Sequence, residues 1–145
     1  MLNDLDGDFR IRFMTSHPKD CTKELIETMA ECDKVATHLH LPFQSGNNRV
    51  LRAMNRGYTR EKYLELINYA KQLMGDELSI TSDIIVGFPG ETYEEFLDTV
   101  SLVKEIKATS LFTFIYSPRV GTPAAKMDDP VSYDEKSKWL RELLA

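Results

Sequence analysis

Three times between residues 38 and 124 a short apolar run gives way to a polar turn rich in Gly, Pro, Ser or Asn. The segments are HLHLPFQSGNNRVLRAMNRGYT (38–59), SITSDIIVGFPGET (79–92) and SLFTFIYSPRVGTPA (110–124). Helical patterns lie between them. Strands that alternate with helices in this way imply a parallel sheet joined by right-handed crossovers. In β/α barrels the turns at the carboxyl ends of the strands build the site. The chemistry of the chain is therefore expected at these junctions.

The remaining elements follow from periodicity and end signals. Residues 1–9 read as a connector. RIRFMT (10–15) alternates charged and apolar side chains and reads as a strand, with Ser16, His17 and Pro18 as its exit. Thr22 to about Glu31 carries Leu25, Ile26 and Met29 at helical spacing. Val35 to Leu41 is a second strand. Asn47 or Asn48 caps a helix that runs to about Asn55 and is closed by Gly57. Thr59 caps another through Met74. Ser79 to Val86 is the third strand, and its unbroken Ile84-Ile85-Val86 predicts cover on both faces. Thr92 with Glu95, and Ser132 with Glu135, predict two capping boxes. Between these two helices lies a fourth strand, Leu111 to Tyr116.

The fold class is thus α/β, with about four β/α units in residues 10–145. A closed barrel needs eight units and about 250 residues. The sheet is expected to be open, a section of a larger barrel rather than a small doubly wound domain. Its uncovered edges predict self-association, or a connector packed over the gap.

Composition narrows the function. A net charge of −5 argues against a broad, unspecific grip on nucleic acid by this segment. No apolar run approaches the ~20 residues of a membrane span. The opening MLNDLDGDFR lacks the apolar region of a secretory signal, so a cytoplasmic location is the default. The two cysteines, Cys21 and Cys32, fit neither a CxxC nor a CxxxCxxC spacing. They read as free thiols of a reducing compartment.

Several side chains could carry chemistry. Gln44 both donates and accepts, which suits a ribose or an amide. Ser45 and Gly46 could leave backbone N–H groups open to an anion at a helix start, but spacing alone favours a plain polar loop with a helix cap. Arg49, Arg52, Arg56 and Arg60 read mostly as solvated charges. Arg56 stands apart at the helix end, where a guanidinium could hold a carboxylate bidentately. Asp83 interrupts an apolar strand and needs either a structural donor or a ligand hydroxyl. Gly87, Pro89 and Gly90 shape a tight turn that lacks the Lys-Ser/Thr pair of a phosphate loop. His38 and His40 share a strand face. With Asp83 they could bind a catalytic metal as in barrel hydrolases, but three unrelated histidines (His17, His38, His40) explain the pattern better.

Four stretches together resemble a known family: RIRFMTSHPKD (10–20), HLHLPFQSGNNRVLRAMNRGYTRE (38–61), SDIIVGFPGET (82–92) and FIYSPRVGTPAA (114–125). In this order they are similar to the radical S-adenosylmethionine methylthiotransferases. QSG and YSPRVGTPA resemble the MiaB-type branch, which modifies tRNA adenosine, more than the branch acting on a ribosomal protein. The resemblance implies a partial TIM-like β/α barrel. It also implies a 4Fe-4S cluster that binds and reductively cleaves S-adenosylmethionine, and an adenosyl radical that abstracts hydrogen from adenine. A methylthio group is then installed with the help of a second cluster, giving a product of the 2-methylthio-N6-isopentenyladenosine type.

By the same resemblance Gln44 and Asp83 would bind the ribose, Arg56 the methionine carboxylate, and Ser16 the methionine part. Backbone at Val86, Gly87, Phe88 and Pro89 would flank the adenine. Tyr116, Ser117 and Arg119 would face the substrate. The chain departs from the family by lacking CxxxCxxC, so the cluster ligands, the first barrel strands and an RNA-binding domain are expected in a longer protein. This section alone is expected to be inactive. The alternatives are a methylthiotransferase for another tRNA adenosine or a ribosomal protein, a metal-dependent barrel hydrolase, and a non-catalytic scaffold.

Overall fold

A computed structural model describes residues 1–13 and 17–145. Three parallel strands lie in the order β1 (His38–His40), β2 (Ser79–Val86), β3 (Ser110–Ile115). The register places His38 opposite Ser79, and Asp83 opposite Phe112. Among the described residues five α-helices precede, connect or follow the strands: α1 (Lys23–Glu31), α2 (Asn48–Ala53), α3 (Arg60–Met74), α4 (Tyr93–Ile106) and α5 (Tyr133–Leu144). Each begins at a side-chain cap, Thr22, Asn47, Thr59, Thr92 and Ser132 in turn.

The period of two along a strand sorts the sheet into unlike faces. Leu39, Leu41, Ile80, Ile84 and Val86 enter one core with Ile26 and Met29 of α1 and with Tyr63 and Ile67 of α3. Phe96 and Leu102 of α4 join them, as do Trp139 and Leu143 of α5. Phe96 stacks on Trp139 with ring centroids 5.5 Å apart. The other face presents His38, His40, Thr81, Asp83, Phe112 and Phe114, which line a cavity instead of a core.

The structure corrects several expectations. The strand expected at 10–15 is reduced to one bridge, Ile11 to Val35, before β1 begins; Met14, Thr15 and Ser16 lie outside the described residues. The expected connector is anchored, because Asn3 Oδ1 accepts the Lys34 N–H at 2.8 Å. Helix α2 stops at Ala53, and Asn55 already has a φ of 58°. The apolar run at 84–86 is not covered twice. Ile84 and Val86 are buried, whereas Ile85 is half-buried and lines a cavity. The capping box at Thr92 closes in both directions. At Ser132 only half of it forms, since Glu135 turns to Lys138 at 3.2 Å.

Candidate functional site

The carboxyl ends of β1, β2 and β3 surround a cavity of about 660 Å3. Gln44, Arg56, Asp83, Tyr116, Ser117 and Arg119 line it, with Ile85, Phe114, Ile115, Thr122 and Ala124. Its walls come from three junctions that are far apart in sequence.

Backbone pairing sets Gln44 beside Asp83. The Gln44 N–H donates to the Asp83 carbonyl at 3.0 Å, and the Ile85 N–H donates to the Gln44 carbonyl at 3.1 Å. Gln44 has a φ of 67°, a left-handed conformation that costs a non-glycine residue roughly 1–3 kcal/mol. Its neighbours compensate. Tyr58 Oη donates to the Phe43 carbonyl at 2.9 Å, Tyr63 Oη to the Leu41 carbonyl at 2.8 Å, and the Phe43 N–H donates to Ser82 Oγ at 3.0 Å.

Arg56 leaves α2 through a backbone bond to the Leu51 carbonyl at 3.1 Å, between the left-handed Asn55 and Gly57. Among the described residues its buried Nε meets no hydrogen-bond partner, and neither does the Tyr116 hydroxyl. Unmet buried donors on a cavity wall are costly unless a ligand or water fills the need. Asp83 is half-buried, not enclosed as its apolar strand suggested. One of its oxygens lies 3.5 Å from His40 Nε2.

Val86, Gly87, Phe88 and Pro89 do not line this cavity. They buttress it: Phe88 meets Tyr116 edge-on at 5.4 Å, and the Val86 carbonyl accepts the Tyr116 N–H at 2.8 Å. Behind them stand two charged groups not anticipated from the sequence. Glu91 is almost fully buried and accepts the Gly87 N–H at 2.8 Å. Burial pushes its carboxyl up to about 7, opposed by the Gly87 bond and reinforced by Glu95. Lys136 is equally buried, pairs with Asp129 at 2.5 Å, and lays its stem where a side chain at residue 87 would stand. A glutamate next to a Gly-Pro turn and a lysine in the first turn of a capped helix look like ordinary surface positions, so their burial was not legible.

Ser45 and Gly46 form the favoured polar loop and offer no anion site, because the Ser45 N–H donates to the Phe43 carbonyl and the Gly46 N–H to Thr99 Oγ1 at 2.9 Å. Arg49 and Arg60 are not free surface charges. Arg49 holds Glu95 bidentately at 2.6 and 2.8 Å, and Arg60 reaches Glu105 at 3.1 Å and the Asp98 carbonyl at 2.5 Å. His38 and His40 are not unrelated, since hydroxyls of β2 link them. His17 stands apart, edge-on to Tyr58 at 5.1 Å. Among the described residues no three His, Cys, Asp or Glu side chains are placed to hold a metal ion, which removes the geometric basis of the hydrolase alternative.

The sequence matches the radical SAM superfamily over residues 1–103. The chain belongs to that superfamily. It is 56% identical, over 137 residues, to tRNA-2-methylthio-N(6)-dimethylallyladenosine synthase of Alkaliphilus oremlandii, covering 94% of this chain and 28% of that protein. It is 53% identical to the protein of that name from a Thermoanaerobacter species, covering 99% of this chain and 30% of the relative. The chain thus spans under a third of the length of these curated relatives. Among solved structures it resembles coproporphyrinogen III oxidase of Escherichia coli, described as a radical SAM enzyme. That likeness has a TM-score of 0.72 and 25% identity, over 88% of this chain and 30% of that one.

The iron–sulfur chemistry of the superfamily needs thiolate ligands. Cys21 is buried, and burial pushes its thiol up to about 11, the opposite of what a ligand requires. Among the described residues no helix is long and apolar enough to cross a membrane.

Proposed function

We propose that this chain is the ligand-binding section of a radical SAM tRNA methylthiotransferase, and that the cavity at the strand ends receives S-adenosylmethionine. The observation that carries the reading is the convergence of Gln44, Arg56 and Asp83 on one cavity from three separate junctions, with Arg56 Nε buried and unmet among the described residues. Gln44 and Asp83 offer an amide and a carboxylate to the two ribose hydroxyls. Arg56 offers a guanidinium fork to the methionine carboxylate. Residues 86–89 brace the cavity wall from behind Tyr116 rather than line it. Tyr116, Ser117 and Arg119 form the rim toward the modified adenosine of a tRNA.

S-adenosylmethionine, bound to a 4Fe-4S cluster held by cysteines elsewhere in the protein, supplies the radical chemistry. This section contributes binding and orientation and is inactive alone. The whole protein acts in the cytoplasm on tRNA. The isolated section self-associates through its uncovered sheet, where Phe112 and Phe114 are more than half exposed.

The test uses the full-length protein carrying this section, reconstituted without oxygen and given tRNA that bears N6-isopentenyladenosine. Mass analysis of the digested tRNA is expected to show the methylthio product. Replacing Arg56 with alanine should lower the yield per time about tenfold to a hundredfold, the weight of one charge-assisted hydrogen-bond pair. Full activity in the alanine variant, or methylthiolation of another substrate only, would sink the reading.

A further inference from the structure

The face of the sheet away from the helices carries an unbroken file of polar contacts between β1 and β2. Ser79 Oγ lies 3.1 Å from His38 Nδ1. His38 Nε2 lies 3.3 Å from Thr81 Oγ1, which is 2.8 Å from His40 Nδ1. His40 Nε2 ends the file 3.5 Å from Asp83 Oδ2. The register explains the zigzag, since His38 pairs with Ser79 and His40 with Thr81 in parallel strands.

The direction of the file follows from its last member. A carboxylate accepts only, so a His40 that engages Asp83 turns an N–H toward it. With neutral imidazoles, Nδ1 of His40 then carries a lone pair and takes the Thr81 hydroxyl proton. Thr81 Oγ1, its proton committed, accepts from His38 Nε2–H. Nδ1 of His38 in turn accepts from Ser79. Each donor thus points toward Asp83, and hydrogen bonds aligned head to tail polarise one another. The neutral form of His38 is favoured, because burial lowers its proton affinity, with His40 and then Arg12 adding to the effect. His40 is further held edge-on by Phe112 at 6.0 Å.

We propose that His40 is a positioning residue, which with Thr81 and His38 behind it fixes the Asp83 carboxylate so that its second oxygen faces a ligand hydroxyl in the cavity. The inference rests on the reading of that cavity as a nucleoside site. The 3.5 Å contact of the ligand-free chain closes to hydrogen-bond length when a hydroxyl orders Asp83, as polar contacts at such sites commonly do.

Two measurements on the whole chain test it. Long-range proton–nitrogen spectra should show both histidines protonated at Nε2, with His40 losing that preference in Thr81→Val. Titration with 5′-methylthioadenosine, which has the ribose, and methionine, which lacks it, reads the consequence. His40→Phe should weaken the nucleoside roughly fivefold, about one hydrogen bond, and leave methionine unchanged. His40→Gln, which keeps a donor near the Nε2 position, should restore most of the loss, and His40→Phe should add nothing to Asp83→Asn. Nδ1-protonated His40, or unchanged nucleoside binding in His40→Phe, would overturn the positioning role while leaving the cavity reading intact. Failure of the wild-type chain to bind the nucleoside would overturn the cavity reading and the inference together.

Discussion

The two faces of β2 are built from alternate residues of one eight-residue strand, yet they serve different ends. Ile80, Ile84 and Val86 are almost fully buried under helices. Ser79, Thr81, Asp83 and Ile85 look the other way, onto imidazoles and two cavities. The first set is interchangeable apolar volume, limited by packing. The second is a specified order of donors and acceptors, in which one wrong atom breaks a file. Stability and chemistry are thereby separated at a spacing of one residue, so changes on one face should be felt weakly on the other.

The largest effect should come from the helix side. Phe96→Ala removes a fully buried ring stacked on Trp139 and should cost about 3–5 kcal/mol of unfolding free energy in chemical denaturation. A loss below about 1 kcal/mol would mean that this face is not the core.

Next is Glu91, in the turn that leaves β2. Its folded carboxyl titrates near 7 against an ordinary 4.5. The folded chain therefore binds that proton more tightly than the unfolded one. The stabilisation is fully present below pH 4.5 and is lost as pH rises through 7, a swing of about 3 kcal/mol. Wild type measured against Glu91→Gln across pH 4–8 should show this difference, and parallel curves would show that Glu91 is solvated.

The smallest effect on stability should come from the cavity side. Asp83→Asn alters a half-buried group and should shift unfolding by less than ~1 kcal/mol while weakening nucleoside binding. A loss comparable to that of Phe96→Ala would break the contrast between the faces.

Much of the architecture was legible because it rests on local physics. Thr59 and Thr92 cap the helices they were expected to cap, since a hydroxyl three residues before a free N–H acts within one turn. β2 has the expected bounds because β-branched and apolar residues run between two turn signals. The first strand was less legible. An alternating pattern makes a strand only where a neighbour pairs with it, and among the described residues Ile11 alone finds one. The arginines misled for a related reason. Whether Arg49 is free depends on Glu95, forty-six residues away.

For the site, the sequence by itself determined which side chains stand at strand ends. Gln44, Asp83 and Tyr116 follow from strand boundaries, and Arg56 from a helix end. Only the tertiary structure decided that these four border one cavity, that Arg56 Nε lacks an acceptor among the described residues, and that Glu91 and Lys136 are buried beneath the turn. Only the parallel register of β1 on β2 joined His38, Thr81, His40 and Asp83 into one directed file. Register is a long-range property, set when helices close over the opposite face and lock the strands together, and no short stretch of sequence contains it.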